Sequence, residues 1–228
     1  MKYNFIIPYR NRKEHLDEFV RRFSSYLQGS EKDVDAQFYI VHQINPGEFN
    51  RGAMNNIGFL EFCKTRPDGL FVFHDVDTYP TYWGSISYNT PKGVARHALG
   101  LPYENLGGVC CFWKEEFERV NGFPNYWGWG IEDVTIRYRL QRLQIPIDEN
   151  NIVYLEDTTK CYLPKHQRNV QREEDAAKRN THQHLQEEQC NTMRNGMSNL
   201  DYKVLSTFEL APRFTVINVD FKEKETMQ

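Results

Sequence analysis

The chain has 228 residues, 26% of them charged, and its formal net charge is −3 at pH 7. This length allows one sizeable hydrophobic core and is too short for two ordinary domains. The slight acidity argues against bulk attraction to nucleic acid or anionic lipid, and no apolar run is long enough to predict a membrane span.

Strands and helices are predicted to alternate through the first half of the chain. Short apolar runs predict buried strands, the first of them closed by Pro8. The predicted strands are 3–7, 37–42 and 70–73, and the predicted helices are about 13–27 and 51–63. This alternation predicts an α/β fold with a parallel sheet, in which ligands bind beyond the carboxyl ends of the strands.

The second half is predicted to contain fewer strands and a long polar stretch. The predicted elements are a strand at 108–112, a helix near 114–120, a Gly- and Trp-rich loop at 121–130, a helix after it, and closing strands at 202–208 and 214–221. The stretch 165–189 is consistent with a solvated helix, which we favour, or with a mobile lid. The sequence shows neither a linker nor an internal repeat, so we expect a single domain.

The cysteines predict neither a disulfide framework nor a structural zinc site, because there are five of them without regular spacing. Cys110 and Cys111 are adjacent in a predicted strand, so they should point to opposite sides of it. The simplest interpretation is that they are buried small hydrophobic residues in a reducing compartment.

An acidic turn, Asp75-Val76-Asp77, follows the third predicted strand. Residues i and i+2 of an extended chain point the same way, so both carboxylates can face one cleft. Two convergent carboxylates attract a hard divalent cation, which is often shared with the phosphates of a substrate. Acidic turns after strands are also common. A metal-dependent phosphohydrolase is a further alternative, although the sequence offers no second metal cluster for it.

Trp129 lies between two glycines, directly before Glu132 and Asp133 on the first turn of a predicted helix. Helix-end electrostatics alone would stabilise these two acids. Two features favour a functional interpretation. The flanking glycines let the backbone move, and exposing an indole to water costs free energy. An indole that covers an apolar sugar face, beside a carboxylate that takes a hydroxyl proton, is typical of a sugar-binding site.

Three arginines indicate a second binding function. Arg10 and Arg12 follow the first strand, and Arg51 begins the second helix. Guanidinium groups and the amides of a helix N-terminus suit a pyrophosphate, although each arginine alone would be interpreted as a solvated surface residue.

The histidines are weaker candidates, because a lone histidine is usually structural or exposed. This applies to His166, His182 and His184. His182 and His184 are two residues apart on a predicted helix, so they do not share a face and make a poor pair of ligands.

Five segments resemble the β-1,4-galactosyltransferase family, glycosyltransferase family 7, and occur in its order. They are FIIPYRNRKEHL, FNRGAMNNIGF, FVFHDVDTYP, GGVCCFWKEEFERVNGFPNYWGWGIED and NGMSNLDYKVL. The resemblance covers about 5–220. It implies a GT-A-type, Rossmann-like α/β fold with a mixed, mostly parallel sheet. It also implies inverting, Mn²⁺-dependent or otherwise metal-dependent transfer of a hexose from a UDP-sugar to a glycan or glycoconjugate acceptor.

The resemblance also implies roles for residues that match the family's motifs. The positions that match donor contacts are Pro8, Tyr9, Arg10, Arg12, Phe49, Arg51, Asp75, Asp77, Gly107, Gly108 and Trp129. The positions that match metal ligands are Asp77 and His166. Those that match the acceptor site are Tyr126, Trp129, Glu132 and Asp133, with Asp133 as the catalytic base, Glu132 as its neighbouring acid and Trp129 on a mobile loop.

Three positions depart from the family's pattern. Many members have a methionine three residues before the ligand histidine, where this chain has Leu163, which cannot bind a metal. Val134 replaces the last acid of the usual GGEDD. Together these two changes motivate an alternative, a non-catalytic glycan-binding module. Asn105 replaces an aromatic residue that bears on the donor sugar, which leaves galactose and N-acetylgalactosamine both open.

The resemblance divides the predicted single domain, 1–228, into two functional halves. About 1–100 would bind the nucleotide sugar, and about 101–228 would bind the acceptor and carry a mobile loop near 160–190. The start of the chain predicts no signal peptide, and the family's disulfide cysteines and membrane anchor are missing. We therefore expect a cytoplasmic protein, or one peripheral at a membrane, with no integral membrane segment and no nucleic-acid partner.

Overall fold

A computed structural model describes residues 1–29, 34–101, 105–164, 170–189 and 192–223. The strands are β1 (Lys2–Tyr9), β2 (Asp35–Gln43), β3 (Leu70–His74), β4 (Tyr79–Pro80), β5 (Ala95–Gly100), β6 (Val109–Phe112), β7 (Ile147–Asp148), β8 (Val153–Tyr154), β9 (Cys161–Tyr162), β10 (Leu200–Ala211) and β11 (Phe214–Glu223). The helices are α1 (Lys13–Gln28), α2 (Arg51–Thr65), α3 (Lys114–Arg119), α4 (Glu132–Arg142) and α5 (Val170–Gln189), with a 3-10 turn at Met197–Asn199.

One mixed sheet forms the middle of the molecule. Its strand order is β10-β11-β2-β1-β3-β6-β5-β7, and β8 also pairs with β5. The strands β11, β2, β1 and β3 run parallel, whereas β6 runs antiparallel between β3 and β5. At the two edges, β10 is antiparallel to β11, and β7 is parallel to β5. The prediction of a mixed, mostly parallel sheet is therefore confirmed.

Helices cover both faces of this sheet. Ile7 points into a core shared with α1, and Ile6 points into a core shared with α2, α3 and α4. Successive side chains of a strand point to opposite faces, so one strand supplies both cores. Cys110 and Cys111 divide between the two cores in the same way, as predicted. The result is three layers, with the sheet in the middle.

Pro8 does not end the first strand, contrary to the prediction. β1 continues to Tyr9, which pairs with His42 of β2. The pairing of β1 with β3 ends earlier, at Ile6. Proline has no N–H to donate, and it is tolerated where a strand has a free edge, which β1 has beyond Ile6. The longer strand brings Arg10 to the edge of the sheet.

The polar stretch forms a helix, α5, with one side packed on the rest of the protein. Ala176, Asn180 and His184 are buried and lie one turn apart. His184 Nδ1 lies 3.0 Å from the hydroxyl of Thr135 on α4, whereas His182 is exposed, so the two histidines do not share a face. Residues 165–169 and 190–191 lie outside the described ranges, so the mobile loop near 160–190 and the two functional halves stay predictions.

Candidate active site

The predicted donor-site residues lie at one edge of the sheet, where β1, β2 and β3 end. β1 leads to Arg10 and Arg12, and β3 leads to Asp75 and Asp77. The loop after β2 leads to Arg51, the first residue of α2. Because these strands are parallel, their carboxyl ends meet at the same edge, which is where α/β sheets bind ligands. The predicted gathering of the basic and acidic clusters at this edge is confirmed.

Arg51 joins the acidic turn after β3 to the first turn of α4. Its Nε lies 2.7 Å from Asp75 Oδ1, and its Nη1 lies 3.4 Å from Glu132 Oε1. Asn50 caps α2 by accepting a hydrogen bond from the helix backbone, which fixes the position of Arg51. The resemblance places Asp75 on the donor side and Glu132 on the acceptor side, and one guanidinium contacts both.

Asp133 lies against the glycines that precede β6. The N–H of Leu106 donates to the carbonyl of Asp133 (3.2 Å), and the N–H of Asp75 donates to the carbonyl of Gly108 (3.2 Å). A Cβ atom at Gly107 would lie 2.6 Å from Asp133 Oδ2. Only glycine allows such an approach of backbone to carboxylate. The two glycines therefore connect the base predicted on α4 to the acidic turn.

Burial and neighbouring charges change the ionisation of Glu132 and Asp133. Burial, followed by the charge of Asp133, raises the pKa of Glu132 to about 7, against the attraction of Arg51. Burial also raises the pKa of Asp133, and Arg51 again opposes the rise. Burial would lower the pKa of Arg51, but the surrounding carboxylates, Asp75 foremost, outweigh it and raise that pKa. A carboxylate with a raised pKa is a stronger base, which suits proton removal from a hydroxyl.

The two segments predicted to carry metal ligands converge at a small hairpin-like pairing. Asp77 is two residues before Tyr79 of β4, and Tyr79 pairs antiparallel with Tyr162 of β9. The chain that leaves β9 therefore runs back toward Asp77. Leu163 is the next residue on this path, and it is 40% exposed. His166 lies outside the described residues, so its role as a ligand stays a prediction.

Asp77 fits a hard divalent cation by its chemistry and its place. It is 9% exposed, at the edge of the sheet where the donor is expected, and its carboxylate forms an ion pair with the guanidinium of Arg12. Hard cations take carboxylate oxygens and complete their shell with waters and substrate phosphates. Across the described ranges, no group of three or more His, Cys, Asp or Glu side chains could hold a metal by itself. A metal here would therefore depend on Asp77, His166 and the substrate.

Trp129 is 54% exposed in the loop that precedes α4. Gly128 and Gly130 on either side have φ angles of 83° and 93°, which glycine adopts without strain. Trp127 is half-buried and packs against the core. Tyr126 is 2% exposed, and burial raises the pKa of its hydroxyl. The loop thus leaves the indole of Trp129 exposed, while the contact of Tyr126 with an acceptor stays a prediction.

Helix α5 lies directly over this loop. A Cβ atom at Gly128 would lie 2.6 Å from the Cβ of Ala176 on α5. Asn180 donates to the loop backbone at 3.0 Å. Glu48, the residue before Phe49, forms an ion pair with Arg179. These contacts join α5 to the loop before α4 and to the segment before α2, and no pattern in the sequence predicted them.

An asparagine network fixes the base of the same loop. The segments 121–125 and 195–199 both read Asn-Gly-x-x-Asn, and their side chains bond to one another. Asn125 Nδ2 donates to Asn199 Oδ1 at 2.9 Å, and Asn56 Nδ2 of α2 donates to Asn125 Oδ1 at 3.0 Å. The roles of these asparagines were not predicted, and the repeated pattern is the sequence signal that could have revealed them.

Solved structures show the fold class. The catalytic domain of Drosophila β-1,4-galactosyltransferase 7 with xylobiose matches 97% of this chain and 94% of its own, with a TM-score of 0.71 and 20% identity. A mutant of the same Drosophila protein, in complex with manganese, UDP-Gal and xylobiose, matches over the same shares with a TM-score of 0.71 and 22% identity. The chain therefore has the GT-A-type fold of a glycosyltransferase, as predicted.

Sequence comparisons identify the family. A model of the N-terminal region of glycosyl transferase group 7 matches residues 1–84, and a model described as the N-terminal domain of galactosyltransferase matches residues 92–167. Mouse (Mus musculus) β-1,4-galactosyltransferase 1 is 34% identical over 96% of this chain and 54% of its own length. Cricetulus griseus β-1,4-galactosyltransferase 4 is 34% identical over 95% and 62%. The chain belongs to glycosyltransferase family 7.

Two further observations concern the extent of the chain and its relation to membranes. The chain spans about half to three-fifths of the length of these relatives. Of the helices in the described ranges, none is both long enough and apolar enough to cross a bilayer. Neither the structure nor the comparisons test the compartment, so the cytoplasmic or peripheral location stays a prediction.

Proposed function

We propose that this chain is an inverting, metal-dependent glycosyltransferase that moves a hexose from a UDP-sugar to a hydroxyl of a sugar acceptor, forming a β-linkage. The observation that carries the proposal is the pair Glu132 and Asp133, which Arg51 ties to the acidic turn after β3. A base for the acceptor hydroxyl therefore lies beside the residues that suit a nucleotide-sugar donor.

Similar proteins support this assignment. The relatives are named β-1,4-galactosyltransferases, and the Drosophila protein was solved with manganese, UDP-Gal and xylobiose. The alternative, a non-catalytic glycan-binding module, is motivated by Leu163 and Val134 and has no support of this kind. The chain also keeps Asp77 and Asp133, which a binding module would not need together.

The reaction forms a bond between the acceptor oxygen and the anomeric carbon, and breaks the bond from that carbon to the diphosphate. Asp133 takes the proton of the attacking hydroxyl, and UDP leaves with the electron pair of the broken bond. Attack opposite the leaving group turns an α-linked donor into a β-linked product. Glu132, on the same helical turn, lies within reach of Arg51 and would orient the acceptor.

The donor side supplies positive charge and a hydrogen-bond donor. A metal held by Asp77 and His166 would neutralise charge on the leaving diphosphate. The guanidinium of Arg12 suits the same diphosphate. Arg51 Nη2 is buried and has no hydrogen-bond partner within the described residues, so it can donate to a sugar hydroxyl. Trp129 can cover the apolar face of the sugar.

The direct test is product formation from UDP-galactose and from UDP-N-acetylgalactosamine with Mn²⁺ and a panel of mono- and disaccharide acceptors. Mass spectrometry detects the product, and the anomeric proton coupling gives the linkage. We expect a β-linked product that disappears on metal chelation. Glycan binding without turnover of any UDP-sugar, and independent of metal, would contradict the proposal and favour the glycan-binding module.

The rate of transfer should rise with pH through a limb near pH 7. Burial and the charge of Asp133 raise the pKa of Glu132 to about 7, and burial also raises the pKa of Asp133, so the two acids retain a proton below this limb. Two such close acids titrate together, and the base is available only when that proton is lost. Initial rates at saturating substrates, measured between about pH 5.5 and 8.5, test this. A rate that is constant over this range would contradict it.

We propose that the donor sugar is galactose or N-acetylgalactosamine, because Asn105 leaves room beside the base. Asn105 Oδ1 accepts a hydrogen bond from the N–H of Gly107 at 2.9 Å, so this short side chain folds back onto the backbone. Gly107 is also the residue against which the carboxylate of Asp133 lies. An aromatic side chain in this place would project toward the donor sugar.

Replacing Asn105 with tyrosine should select for galactose. The bulkier ring should disfavour the N-acetyl group, and discrimination by steric fit of a small group is worth about 10–200-fold. The measurement is the ratio of kcat/KM for UDP-galactose to that for UDP-N-acetylgalactosamine, in the native protein and in Asn105→Tyr. Asn105→Ala serves as the control, with little change in the ratio expected. An equal ratio in all three proteins would show that Asn105 does not contact the donor sugar.

A further inference from the structure

The two acids of the turn after β3 are each paired with a different arginine. Asp75 pairs with Arg51 at 2.7 Å, and Asp77 pairs with Arg12. The side chain of Arg51 is 15% exposed and is held by acids from two elements, whereas that of Arg12 is 40% exposed. Arg51 is therefore fixed in place, and Arg12 lies at the rim with room to change its partner.

The ion pair of Arg12 with Asp77 conflicts with a metal at the same carboxylate. A divalent cation held by Asp77 would lie next to the guanidinium charge, and like charges at such range repel. The carboxylate cannot serve both fully. A cation at Asp77 therefore weakens the ion pair with Arg12, and the guanidinium is stabilised by moving to another anionic partner.

The diphosphate of a nucleotide sugar is such a partner. Arg12 follows β1 at the edge of the sheet where the donor is expected, and guanidinium groups bind phosphate oxygens strongly. We propose that Arg12 alternates between Asp77 and the diphosphate, so that nucleotide binding frees Asp77 for the cation. This inference rests on the proposed function, and it makes the binding of cation and nucleotide mutually supportive.

The replacement Arg12→Gln tests this without a catalytic readout. The side chain of Arg12 makes no capping hydrogen bond to α1, so the variant should keep the helix. The matched control is Lys13→Gln, which removes one positive charge from the neighbouring residue. The side chain of Lys13 is 80% exposed and pairs with Asp17. Mn²⁺ binding is measured by the electron paramagnetic resonance signal of free Mn²⁺, with and without UDP, after correction for Mn²⁺ bound by UDP in protein-free samples.

Without UDP, Arg12→Gln should bind Mn²⁺ at least about fivefold more tightly than the native protein, because the competing cation is gone. Saturating UDP should tighten Mn²⁺ binding by a similar factor in the native protein and in Lys13→Gln, and much less in Arg12→Gln. Arg12→Lys should restore part of the coupling. By linkage, Mn²⁺ should change the affinity for UDP by the same factor.

The outcomes separate this inference from the proposed function. If the native protein binds Mn²⁺ but Arg12→Gln shows the same affinity and the same effect of UDP, the exchange of partners is overturned and the proposed function stands. Tighter binding in Lys13→Gln as well would overturn it too, because bulk charge would then explain the effect. If the native protein binds no Mn²⁺ with or without UDP, the proposed metal dependence fails first.

Discussion

Replacing Asp133 with asparagine should lower kcat by about 10²–10⁴-fold, the range that a general base contributes. The carboxylate is lost, but the side chain should stay in place. Asp133 Oδ1 accepts a hydrogen bond from the N–H of Val134 at 2.8 Å, and an amide oxygen can do the same. Affinity for UDP and Mn²⁺ should change little, because Arg12 and Asp77 pair with each other, whereas the carboxylate of Asp133 lies against Gly107 and the N–H of Val134. Steady-state kinetics with the best donor and acceptor measure the loss.

The stability of Asp133→Asn distinguishes a chemical defect from a folding defect. The pKa of Asp133 is raised by burial, so its charge destabilises the fold at neutral pH. The variant should therefore melt at the same temperature as the native protein or higher. Glu115→Gln removes an exposed first-turn acid of α3 and should keep full activity. A kcat within about tenfold of the native value would show that another group acts as the base.

The central fold was predictable because its elements are short, apolar and separated by turn residues. In α1, Leu16, Phe19 and Phe23 lie on one face and are buried, as their spacing predicts. The strands before Arg10 and Asp75 are continuous apolar runs, which is typical of strands covered on both faces. Their parallel arrangement then determines that both clusters reach the same edge of the sheet.

Strand β5 was missed because its sequence, ARHALG, contains polar residues that are buried. Arg96 is 5% exposed, forms an ion pair with Asp148 and donates to the carbonyl of Ser87 at 2.8 Å. His97 is buried, and its Nε2 lies 2.9 Å from the carbonyl of Gly107. A buried charge is tolerated only with such partners. The partners of Arg96 come from other segments, so the sequence around β5 does not reveal them.

The residue types of the candidate site could be predicted from the sequence, but the contacts between those residues could not. The glycines, the tryptophan and the adjacent acids identified the loop and the first turn of α4. A tryptophan between glycines is costly to expose, and two acids shortly after it are an unusual sequence. The link from Arg51 to Glu132 spans 81 positions in sequence, and the link from Asn125 to Asn199 spans 74. Neither the periodicity of hydrophobic residues nor the local spacing of motifs can reveal such long-range contacts. They follow only from the topology, which places α2 beside the loop before α4.

Replacing Arg51 with methionine should destabilise the protein by about 3–5 kcal/mol at pH 8, the usual cost of breaking a buried ion pair. Methionine has a similar length and can fill the space. What is lost is the positive charge that faces Asp75, Glu132 and Asp133. Chemical unfolding measures the change. Arg21→Met, which removes an exposed arginine paired with Glu18 on α1, is the control and should change stability little at pH 5 and at pH 8.

The dependence on pH identifies charge as the cause. Without Arg51, the pKa values of Glu132 and Asp133 should rise further above their values in the unfolded chain, about 4.3 and 3.9. The native state then binds more protons than the unfolded state in this window, so stability falls as pH rises. The loss in free energy of unfolding caused by Arg51→Met should therefore be smaller at pH 5 than at pH 8. Equal deficits at both pH values would mean that Arg51 acts by packing, and that the acids do not depend on its charge.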